Sequence, residues 1–552
     1  MEKYPLHEVE PISDFKELLR HAQSAYGDRD IFRIRTKDGG ITGIGWEKLS
    51  RDINALGNGL LSLGLAGQKV AIIGPTSYEW LLSYYTITCG IGTVVPVDKE
   101  LPDDEIANIL CDSGAKCLIY SPEYEDTVQN IRTNGLADCV SVWLPMSGGA
   151  DMGSIRTMLE GTEDFGYAQR KVDPHAMTIL LYTSGTTGKS KGVMLTQHNI
   201  LRASEGALRL LDIGEVCMSV LPVHHSYEST HGITMMIEHG TTICISDSLR
   251  NFLPNLQLFK PDMIFLVPLF VEMMYRKIWA NARANGQEDA LRALIEKSNA
   301  ELDRGIDNRA KYFKNIHNAF GGKLNLIICG GAPLASYLSR AFREMGILLL
   351  QGYGITECSP LVAVNRNRYY KDGSIGLPIA CCDVEIREKD ENGEGEIWVR
   401  GENVMLGYYK NEEGTREVMD GEWFNTGDIG HVDQDGFLFI TGRKKNLIVL
   451  TNGKNVYPEE IEDYLLRIPY IKEVVVFAPV VEGLKEVELH AELFLNEDYT
   501  AEHSADEISR RLEKDIAAVN KTLPTYKQVQ HWDIRDKEFE KTTKKSIKRF
   551  TV

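Results

Sequence analysis

The sequence predicts an α/β fold, and three observations support that prediction. Short apolar runs recur along the chain with helical stretches between them, which is typical of buried, largely parallel strands. Two later runs, Val384–Ile386 and Gly395–Arg400, have no helix between them, so we expect a smaller β-rich subdomain near residues 360–440. Residues 446–552 have the pattern of a compact α+β unit of their own.

The predicted buried strands share an apolar core of four to six residues that is bounded by polar or turn residues. They are Val70–Gly74, Cys117–Tyr120, Ile179–Tyr182, Thr242–Ile245, Met263–Val267, Leu324–Cys329 and Ile347–Leu350. The run Leu81–Val97 predicts a buried helix that leads into a strand, since polar residues and glycines interrupt it. The charged segment Arg276–Lys323 predicts surface helices, with a wall of a substrate channel as the alternative.

The C-terminal unit is predicted from its own alternation of patterns. Pro458–Arg467 predicts a helix, and Glu473–Val480 and Val487–Leu495 predict strands. Apolar residues between Ile508 and Val519 share one face of a further helix. We place the boundary of this unit near Arg443.

Composition excludes several classes of function. The 552-residue chain has a formal net charge of −18, which argues against non-specific binding of nucleic acid. Its ten cysteines are scattered and lie mostly in apolar runs, so we expect reduced thiols in a cytoplasmic protein. The N-terminus lacks the pattern of a signal peptide, and we expect at most peripheral contact with a membrane.

A loop behind the predicted strand Ile179–Tyr182 combines glycines, hydroxyl side chains and lysines. Glycines let backbone N–H groups approach an anion, hydroxyls donate to phosphate oxygens, and lysines add positive charge. The composition therefore predicts a phosphate-binding loop. Its members are Thr183, Ser184, Gly185, Thr186, Thr187, Gly188, Lys189, Ser190 and Lys191. A Walker A loop would need glycine where this chain has Thr183, so a P-loop kinase or ATPase is disfavoured.

The string from Tyr182 to Val193, YTSGTTGKSKGV, resembles the phosphate-binding signature of the adenylate-forming superfamily. That superfamily includes acyl-CoA synthetases, peptide-synthetase adenylation domains and beetle luciferases. The characteristic lysine falls on Lys191, and Ser190 stands where the family usually has proline. The resemblance implies that Thr183 shares a Mg²⁺ ion bound with ATP.

Two further motifs resemble the family's adenine-binding and metal-binding segments. Gly331, Ala332 and Pro333 belong to a GGAPL turn whose backbone would lie along the adenine. The second motif, QGYGITE, consists of Gln351, Gly352, Tyr353, Gly354, Ile355, Thr356 and Glu357. The resemblance implies that Tyr353 stacks on adenine, Thr356 lies near phosphate and Glu357 holds Mg²⁺. A hard carboxylate oxygen suits that ion.

The ribose and hinge motifs follow in the family's order. Trp423–Asp428 resembles the WFxTGD motif, which implies that Asp428 accepts hydrogen bonds from both ribose hydroxyls. Arg443 would reach the ribose and phosphate, and Lys445 would be the pivot between the domains. Lys454 lies in the GKNVYP segment, which swings in for thiol transfer in the family.

The resemblance also implies the domain organisation. Residues 1–442 would form an N-terminal domain of two α/β subdomains with largely parallel sheets plus the β-rich subdomain. Residues 443–445 would be the hinge, and residues 446–552 a small, mobile α+β C-terminal lid. We expect such a protein to convert a carboxylic acid and ATP to acyl-AMP and then to transfer the acyl group to a thiol.

The tail departs from the family at the lysine that assists adenylation. An ungapped match to the family's terminal pattern places Ser546 at that position, and Lys545 is one residue earlier. We favour Lys545 as the catalytic lysine, while Lys544 or Lys548 is the alternative. A third interpretation is a catalytically impaired relative that only binds nucleotide or acyl-adenylate.

The segment Leu221–Glu228 resembles the LPxxHxxE motif of the long-chain branch and would place His225 near the substrate carboxylate. A long- or medium-chain fatty acid is therefore favoured over acetate or an aryl acid, with coenzyme A as acceptor and acyl carrier protein as the alternative. The neighbouring His224 and His225 also suggest a metal site. We disfavour that interpretation because no carboxylate or cysteine has the usual ligand spacing.

Overall fold

The computed structural model describes residues 6–148, 153–161, 163–183, 190–450, 455–479 and 488–541, together with Ile547 and Arg549. Within these residues the chain is α/β, with two large mixed sheets, a smaller antiparallel sheet and a separate C-terminal sheet. The predicted fold class is therefore confirmed. No helix within the described residues is both long enough and apolar enough to span a membrane.

The larger sheet has nine strands and is parallel in its centre. Its neighbouring strands from Leu348–Gly354 to Asp30–Arg35 run parallel, and the outer pairs are antiparallel. In spatial order the strands are Leu377–Pro378, Leu361–Val364, Leu348–Gly354, Leu326–Cys329, Met263–Leu266, Val216–Ser219, Thr242–Ile245, Asp30–Arg35 and Ile41–Gly45. Strands such as Met263–Leu266 are buried along their whole length because helices cover both faces.

The second sheet has seven strands. It is parallel from Met177–Thr183 onward, while its first two pairings are antiparallel. In spatial order the strands are Gly407–Tyr408, Lys191–Thr196, Met177–Thr183, Thr93–Pro96, Lys69–Ile73, Cys117–Tyr120 and Val142–Pro145. The pairing sets Thr183 opposite Lys191, so the ends of the predicted phosphate loop are cross-strand neighbours.

Helices connect and cover these strands. Leu81–Val97 forms a buried helix, Tyr78–Thr86, followed by a wider turn over Ile87–Ile91 and a strand, as predicted. The other helices of this part are Phe15–Tyr26, Trp46–Ser62, Asp103–Ser113, Glu125–Thr133, Ile155–Leu159, Gln197–Leu208, Tyr227–Thr234, Met235–His239, Phe252–Phe259, Pro268–Ala284, Glu288–Leu302, Arg309–Tyr312, Lys314–Ala319, Ser336–Glu344 and Glu412–Val418. In Glu288–Leu302 only Ser298 is buried, as expected of a surface helix.

An antiparallel sheet follows, where the sequence predicts the β-rich subdomain. Its strands are Cys382–Arg387, Gly395–Gly401, Trp423–Val432, Met419–Asp420 and Leu438–Arg443. The long central strand Trp423–Val432 carries Asp428, and its partner Leu438–Arg443 ends at Arg443. The register pairs Asp428 directly with Arg443.

The C-terminal residues have a hydrophobic cluster of their own. The strands Ile471–Phe477, Leu489–Leu495 and Val529–Ile534 form one sheet, and Ile448–Val449 pairs with Asn455–Val456. The helices are Pro458–Leu466, Glu497–Glu502 and Ala505–Asn520. Ile508, Leu512 and Ile516 are the buried face of the last helix, in agreement with its predicted periodicity.

Glu228 and Glu238 are among the acidic residues that are buried in the N-terminal part of the chain. Glu228 lies in the wide-turned helix Tyr227–Thr234 and accepts a hydrogen bond from the Ser219 hydroxyl. Burial raises the pKa of Glu228 to about 8, against the weaker opposing effect of Ser219. Burial likewise raises the pKa of Glu238 to about 7.

These raised pKa values predict that stability decreases as pH rises. The folded state keeps the Glu228 proton until about pH 8, whereas the unfolded chain releases it near pH 4.3. We expect wild type to lose about 3 kcal/mol more stability than Glu228→Gln between pH 5.5 and pH 8.5. Denaturant titrations at several pH values measure this difference. Parallel pH profiles for the two proteins would contradict the prediction, and exposed Glu417→Gln is the control.

Candidate active site

The residues of the QGYGITE motif lie where the central strand Leu348–Gly354 ends. Gly354 has to be glycine, because a Cβ there would lie 1.8 Å from the carbonyl oxygen of Pro360. This close approach lets Ile355 donate its N–H to the same oxygen at 2.7 Å. The turn therefore carries Tyr353 to one side and Thr356 and Glu357 to the other.

Tyr353, Asp428 and Arg443 form a connected group. The Tyr353 hydroxyl donates to Asp428 Oδ2 at 2.6 Å, and Arg443 Nε lies 2.8 Å from Asp428 Oδ1. Asp428 is 2% exposed, whereas the Arg443 side chain is half exposed. Burial raises the pKa of the Asp428 carboxyl, and Arg443 acts against that shift. Asp428 in turn raises the pKa of Arg443.

Lys191, Tyr408 and Glu357 form a second group. The Lys191 ammonium lies 4.9 Å from the centre of the Tyr408 ring, a cation–π contact. The Tyr408 hydroxyl donates to Glu357 Oε1 at 2.9 Å. Among the described residues, none forms an ion pair with the Glu357 carboxylate. The carboxylate is therefore positioned by a neutral donor.

The turn at Gly331 and the segment Leu221–Glu228 border the same motif. Gly331 has a positive φ of 82°, which favours glycine, and follows the strand Leu326–Cys329. The Gln351 carbonyl accepts from the Asn365 N–H at 3.0 Å, which holds the neighbouring strand against the motif. On the substrate side, the Ser226 hydroxyl lies 3.4 Å from that of Thr356, so His225 is one residue from a direct contact with the motif.

Several predicted site residues lie outside the described residues. They are Ser184, Gly185, Thr186, Thr187, Gly188, Lys454 and Lys545, with the alternatives Lys544 and Lys548. The described residues beside the tail, Lys541 and Ile547, pair with each other. Lys541 also forms an ion pair with Glu473. Burial raises the pKa of Glu272 in the helix Pro268–Ala284; the charge of Glu473 adds to this shift, and the charge of Lys541 opposes it.

Sequence reasoning missed two residues of this region. Tyr408 lies in a two-residue strand and has no motif that marks it, yet it contacts both Lys191 and Glu357. Asp98 follows the strand Thr93–Pro96 and lies beside His224. No carboxylate has the usual ligand spacing to the two histidines in the sequence, but the fold brings Asp98 beside them from a distant part of the chain.

Known protein families match most of the chain. The family described as "AMP-binding enzyme" matches residues 19–409, and "AMP-binding enzyme C-terminal domain" matches residues 445–552. A long-chain-fatty-acid–CoA ligase of Mycobacterium bovis is 32% identical over 470 residues, covering 80% of this chain and 76% of that protein. One from Salmonella typhimurium is 30% identical over 497 residues, covering 83% and 82%.

Solved structures show the same fold. An anthranilate CoA ligase in complex with anthranoyl-AMP aligns with a TM-score of 0.80 at 19% identity, covering 100% of this chain and 97% of that one. A Bacillus subtilis o-succinylbenzoate CoA synthetase aligns with a TM-score of 0.74 at 22% identity, covering 96% of each chain. The superfamily predicted from the motifs is confirmed, and the chain belongs to the family of AMP-binding enzymes.

Proposed function

We propose that this protein is an ATP-dependent acid–thiol ligase that activates a fatty acid as acyl-AMP and transfers the acyl group to coenzyme A. The observation that carries the proposal is the meeting of two polar groups on one motif. Tyr353 donates a hydrogen bond to Asp428, which pairs with Arg443. Glu357 accepts a hydrogen bond from Tyr408, whose ring contacts Lys191. The names of the relatives that share most of the chain's length support a fatty acid as the substrate.

The nucleotide would be held at its three parts by different residues. Asp428 has the charge to accept hydrogen bonds from ribose hydroxyls, and Arg443 beside it can reach ribose or phosphate. Tyr353 and the turn at Gly331, Ala332 and Pro333 would enclose the adenine. The loop that begins at Thr183 would hold the phosphates together with Thr356.

Glu357 and Thr183 would hold the Mg²⁺ ion that accompanies ATP. The carboxylate of Glu357 is oriented by Tyr408 and has no ion pair among the described residues, which fits a hard divalent cation. The ion would neutralise phosphate charge, and Lys191 would add a second positive charge. Adenylation brings two anions together, so this neutralisation lowers the barrier to attack by the carboxylate. The products of that step are acyl-AMP and pyrophosphate.

Tyr408 predicts a separable effect on the metal and on the lysine. Tyr408→Phe keeps the ring below Lys191 but removes the donor to Glu357, so we expect the Mg²⁺ concentration for half-maximal activity to rise about tenfold. Tyr408→Leu removes both contacts and should also raise the KM for ATP. Mg²⁺ and ATP titrations measure the two effects, with Tyr409→Phe as the control. Identical behaviour of the two Tyr408 variants would contradict these roles.

A tail lysine would complete the adenylation site, and Lys545 is our first choice. Burial raises the pKa of Glu272, and the charge of its described neighbour Lys541 opposes that shift, so this part of the C-terminal unit lies near the helix Pro268–Ala284. We expect Lys545→Ala to reduce acid-dependent pyrophosphate release about 100-fold, since removing one transition-state contact typically costs this much. Matched Lys544→Ala and Lys548→Ala variants test the alternatives. Full activity of all three variants would contradict a role for this run of lysines.

We also propose that residues 1–442 and 446–552 are separate domains joined by a hinge at 443–445. The separate hydrophobic cluster behind Leu450 supports this division. Arg443 contributes a side chain to the nucleotide group and lies at the proposed junction, so a rotation there would change the surface that faces the site. Thiol transfer would follow that rotation.

The substrate side of the site supports an apolar acid. Tyr227 packs edge-on against Phe265 at 5.8 Å between ring centres, and its hydroxyl donates to the Ile328 carbonyl at 3.0 Å. The Tyr227 hydroxyl therefore has a hydrogen-bond partner, and the rings of Tyr227 and Phe265 form an apolar surface beside His225. His225 would lie near the acid's carboxylate. A cytoplasmic location is part of the proposal, since all ten cysteines are free thiols.

The full chain with ATP, Mg²⁺, palmitate and coenzyme A tests the proposal. We expect palmitoyl-CoA, AMP and pyrophosphate in equal amounts. Octanoate, acetate and benzoate compare acid classes, and acyl carrier protein replaces coenzyme A in a parallel reaction. Preference for benzoate would overturn the fatty-acid assignment, and transfer only to the carrier protein would overturn coenzyme A as acceptor. Absence of pyrophosphate with every acid would identify a nucleotide-binding relative without catalysis.

A further inference from the structure

Asp98, His224 and His225 form a compact cluster behind the ends of two interior strands, one from each large sheet. Asp98 follows the strand Thr93–Pro96, and the histidines follow the strand Val216–Ser219 of the other sheet. One carboxylate oxygen of Asp98 and one ring nitrogen from each histidine all lie within 4.8 Å of one another. We refer to these three residues as the Asp–His–His cluster.

Backbone hydrogen bonds hold Asp98 and His225 in place. Asp98 Oδ1 accepts the Glu100 N–H at 2.9 Å, which fixes the direction of the carboxylate. His225 donates its N–H to the Pro222 carbonyl at 3.0 Å, and its own carbonyl accepts the N–H groups of Glu228 and Ser229 at 3.1 Å. The turn therefore presents the two rings side by side, with their centres 4.3 Å apart.

The separation of His224 from Asp98 fits two ligands of one metal ion as well as an ion pair. His224 Nε2 lies 3.2 Å from Asp98 Oδ1, and two ligands of one tetrahedral Zn²⁺ are about 3.3 Å apart. His224 Nε2 is a buried atom that makes no hydrogen bond of normal geometry within the described part of the chain. A shared cation would give this buried nitrogen a partner and would join all three groups of the cluster.

We infer that the Asp–His–His cluster binds a divalent transition-metal ion of the Zn²⁺ class, separate from the Mg²⁺ that accompanies ATP. Imidazole nitrogens select Zn²⁺, Co²⁺ or Ni²⁺ over Mg²⁺, which prefers oxygen ligands and water. Three protein ligands leave a fourth position for water or for a carboxylate.

The position of the cluster predicts that metal binding affects activation of the acid. This prediction rests on the proposed function. His225 precedes Ser226, whose hydroxyl lies 3.4 Å from Thr356, so the cluster borders the side where the acid enters. An ion held there would occupy His225 and attract the carboxylate of the acid away from the phosphate. Zn²⁺ would therefore inhibit acid activation, in competition with the acid rather than with ATP.

Cobalt titration of the reduced, chelator-treated full chain tests binding without any activity assay. We expect one equivalent of Co²⁺ to give visible d–d absorption without a thiolate-to-cobalt charge-transfer band, which separates this site from the ten cysteines. Asp98→Asn and His224→Gln should each weaken this binding at least tenfold. Absence of the d–d absorption, or unchanged binding in both variants, would overturn the site.

A second histidine pair supplies the matched control. His175 and His198 have ring centres 4.4 Å apart, and His198 Nε2 lies 3.1 Å from Glu402. Their ligand atoms do not form a three-residue cluster of the same compactness among the described residues. His198→Gln should therefore leave the cobalt titration unchanged. A loss of cobalt binding in this variant would place the ion at His175 and His198 and would overturn the Asp–His–His cluster as the site. Thermal unfolding of each variant shows that it is folded before titration.

Inhibition is measured separately as acid-dependent pyrophosphate release with excess Mg²⁺. Micromolar Zn²⁺ should raise the KM for palmitate and leave the KM for ATP unchanged, and a chelator should restore activity. Asp98→Asn should need at least tenfold more Zn²⁺ for the same inhibition. Competition with ATP would overturn the inhibitory role. If no acid supports turnover, the proposed function fails while the cobalt titration still decides the metal site.

Discussion

Glu357→Gln is expected to lower kcat for acid-dependent pyrophosphate release by about 100- to 1000-fold. The substitution keeps the size of the side chain and the hydrogen bond from Tyr408 but removes the negative charge. If Glu357 holds Mg²⁺, a neutral amide binds the ion weakly, and phosphate charge at the reacting centre is no longer neutralised.

The Mg²⁺ dependence distinguishes this cause from general damage. We expect the variant to require much higher Mg²⁺ and to bind the ribose part of ATP as before, because Asp428 and Arg443 are unchanged. Exposed Glu417→Gln is the control for loss of a carboxylate elsewhere. A variant with kcat within threefold of wild type and the same Mg²⁺ dependence would contradict the assignment of Glu357.

Asp428→Asn is expected to lower kcat/KM for ATP by about 100-fold, or roughly 3 kcal/mol, mainly through a higher KM. The ionised carboxylate can accept two charge-assisted hydrogen bonds from a ribose, whereas the amide offers one oxygen and a competing donor. The loss also frees Arg443 from the ion pair that holds its guanidinium at 2.8 Å.

Tyr353→Phe is the matched partner for this test. It keeps the aromatic ring and removes only the hydroxyl that donates to Asp428 at 2.6 Å. We expect it to cost about tenfold in kcat/KM, since one neutral donor to a charged group contributes about 1.5 kcal/mol. Wild type should bind 2′-deoxy-ATP more weakly than ATP, whereas Asp428→Asn should bind the two nucleotides equally well. Unchanged discrimination between these nucleotides in the variant would contradict ribose binding by Asp428.

The central strands could be predicted closely because burial on both faces leaves an uninterrupted apolar run. Thr242–Ile245 and Cys117–Tyr120 have the same limits in the structure as in the prediction. The strand Asp30–Arg35 and its neighbour at the edge of the sheet, Ile41–Gly45, were not predicted. Their outer faces are partly exposed, so their composition is mixed and carries a weaker signal.

The motifs predicted which residues belong to the site, but they did not show how those residues contact one another. Tyr353 and Asp428 are far apart in sequence and lie on strands of two different sheets. Only the packing of these sheets brings the Tyr353 hydroxyl to the Asp428 carboxylate. Tyr408 carried no signal, because a single tyrosine after a glycine is common in any chain. Asp98 was missed because its nearness to His224 depends on two strands from different sheets.

The most direct test of acid activation is the fate of oxygen from the substrate. Palmitate labelled with ¹⁸O in both carboxylate oxygens is incubated with the full chain, ATP, Mg²⁺ and coenzyme A. If the carboxylate attacks the α-phosphate, one labelled oxygen leaves with each AMP and the pyrophosphate carries none. Mass spectrometry that finds ¹⁸O in inorganic phosphate, together with ADP in place of AMP, would contradict adenylation at this site.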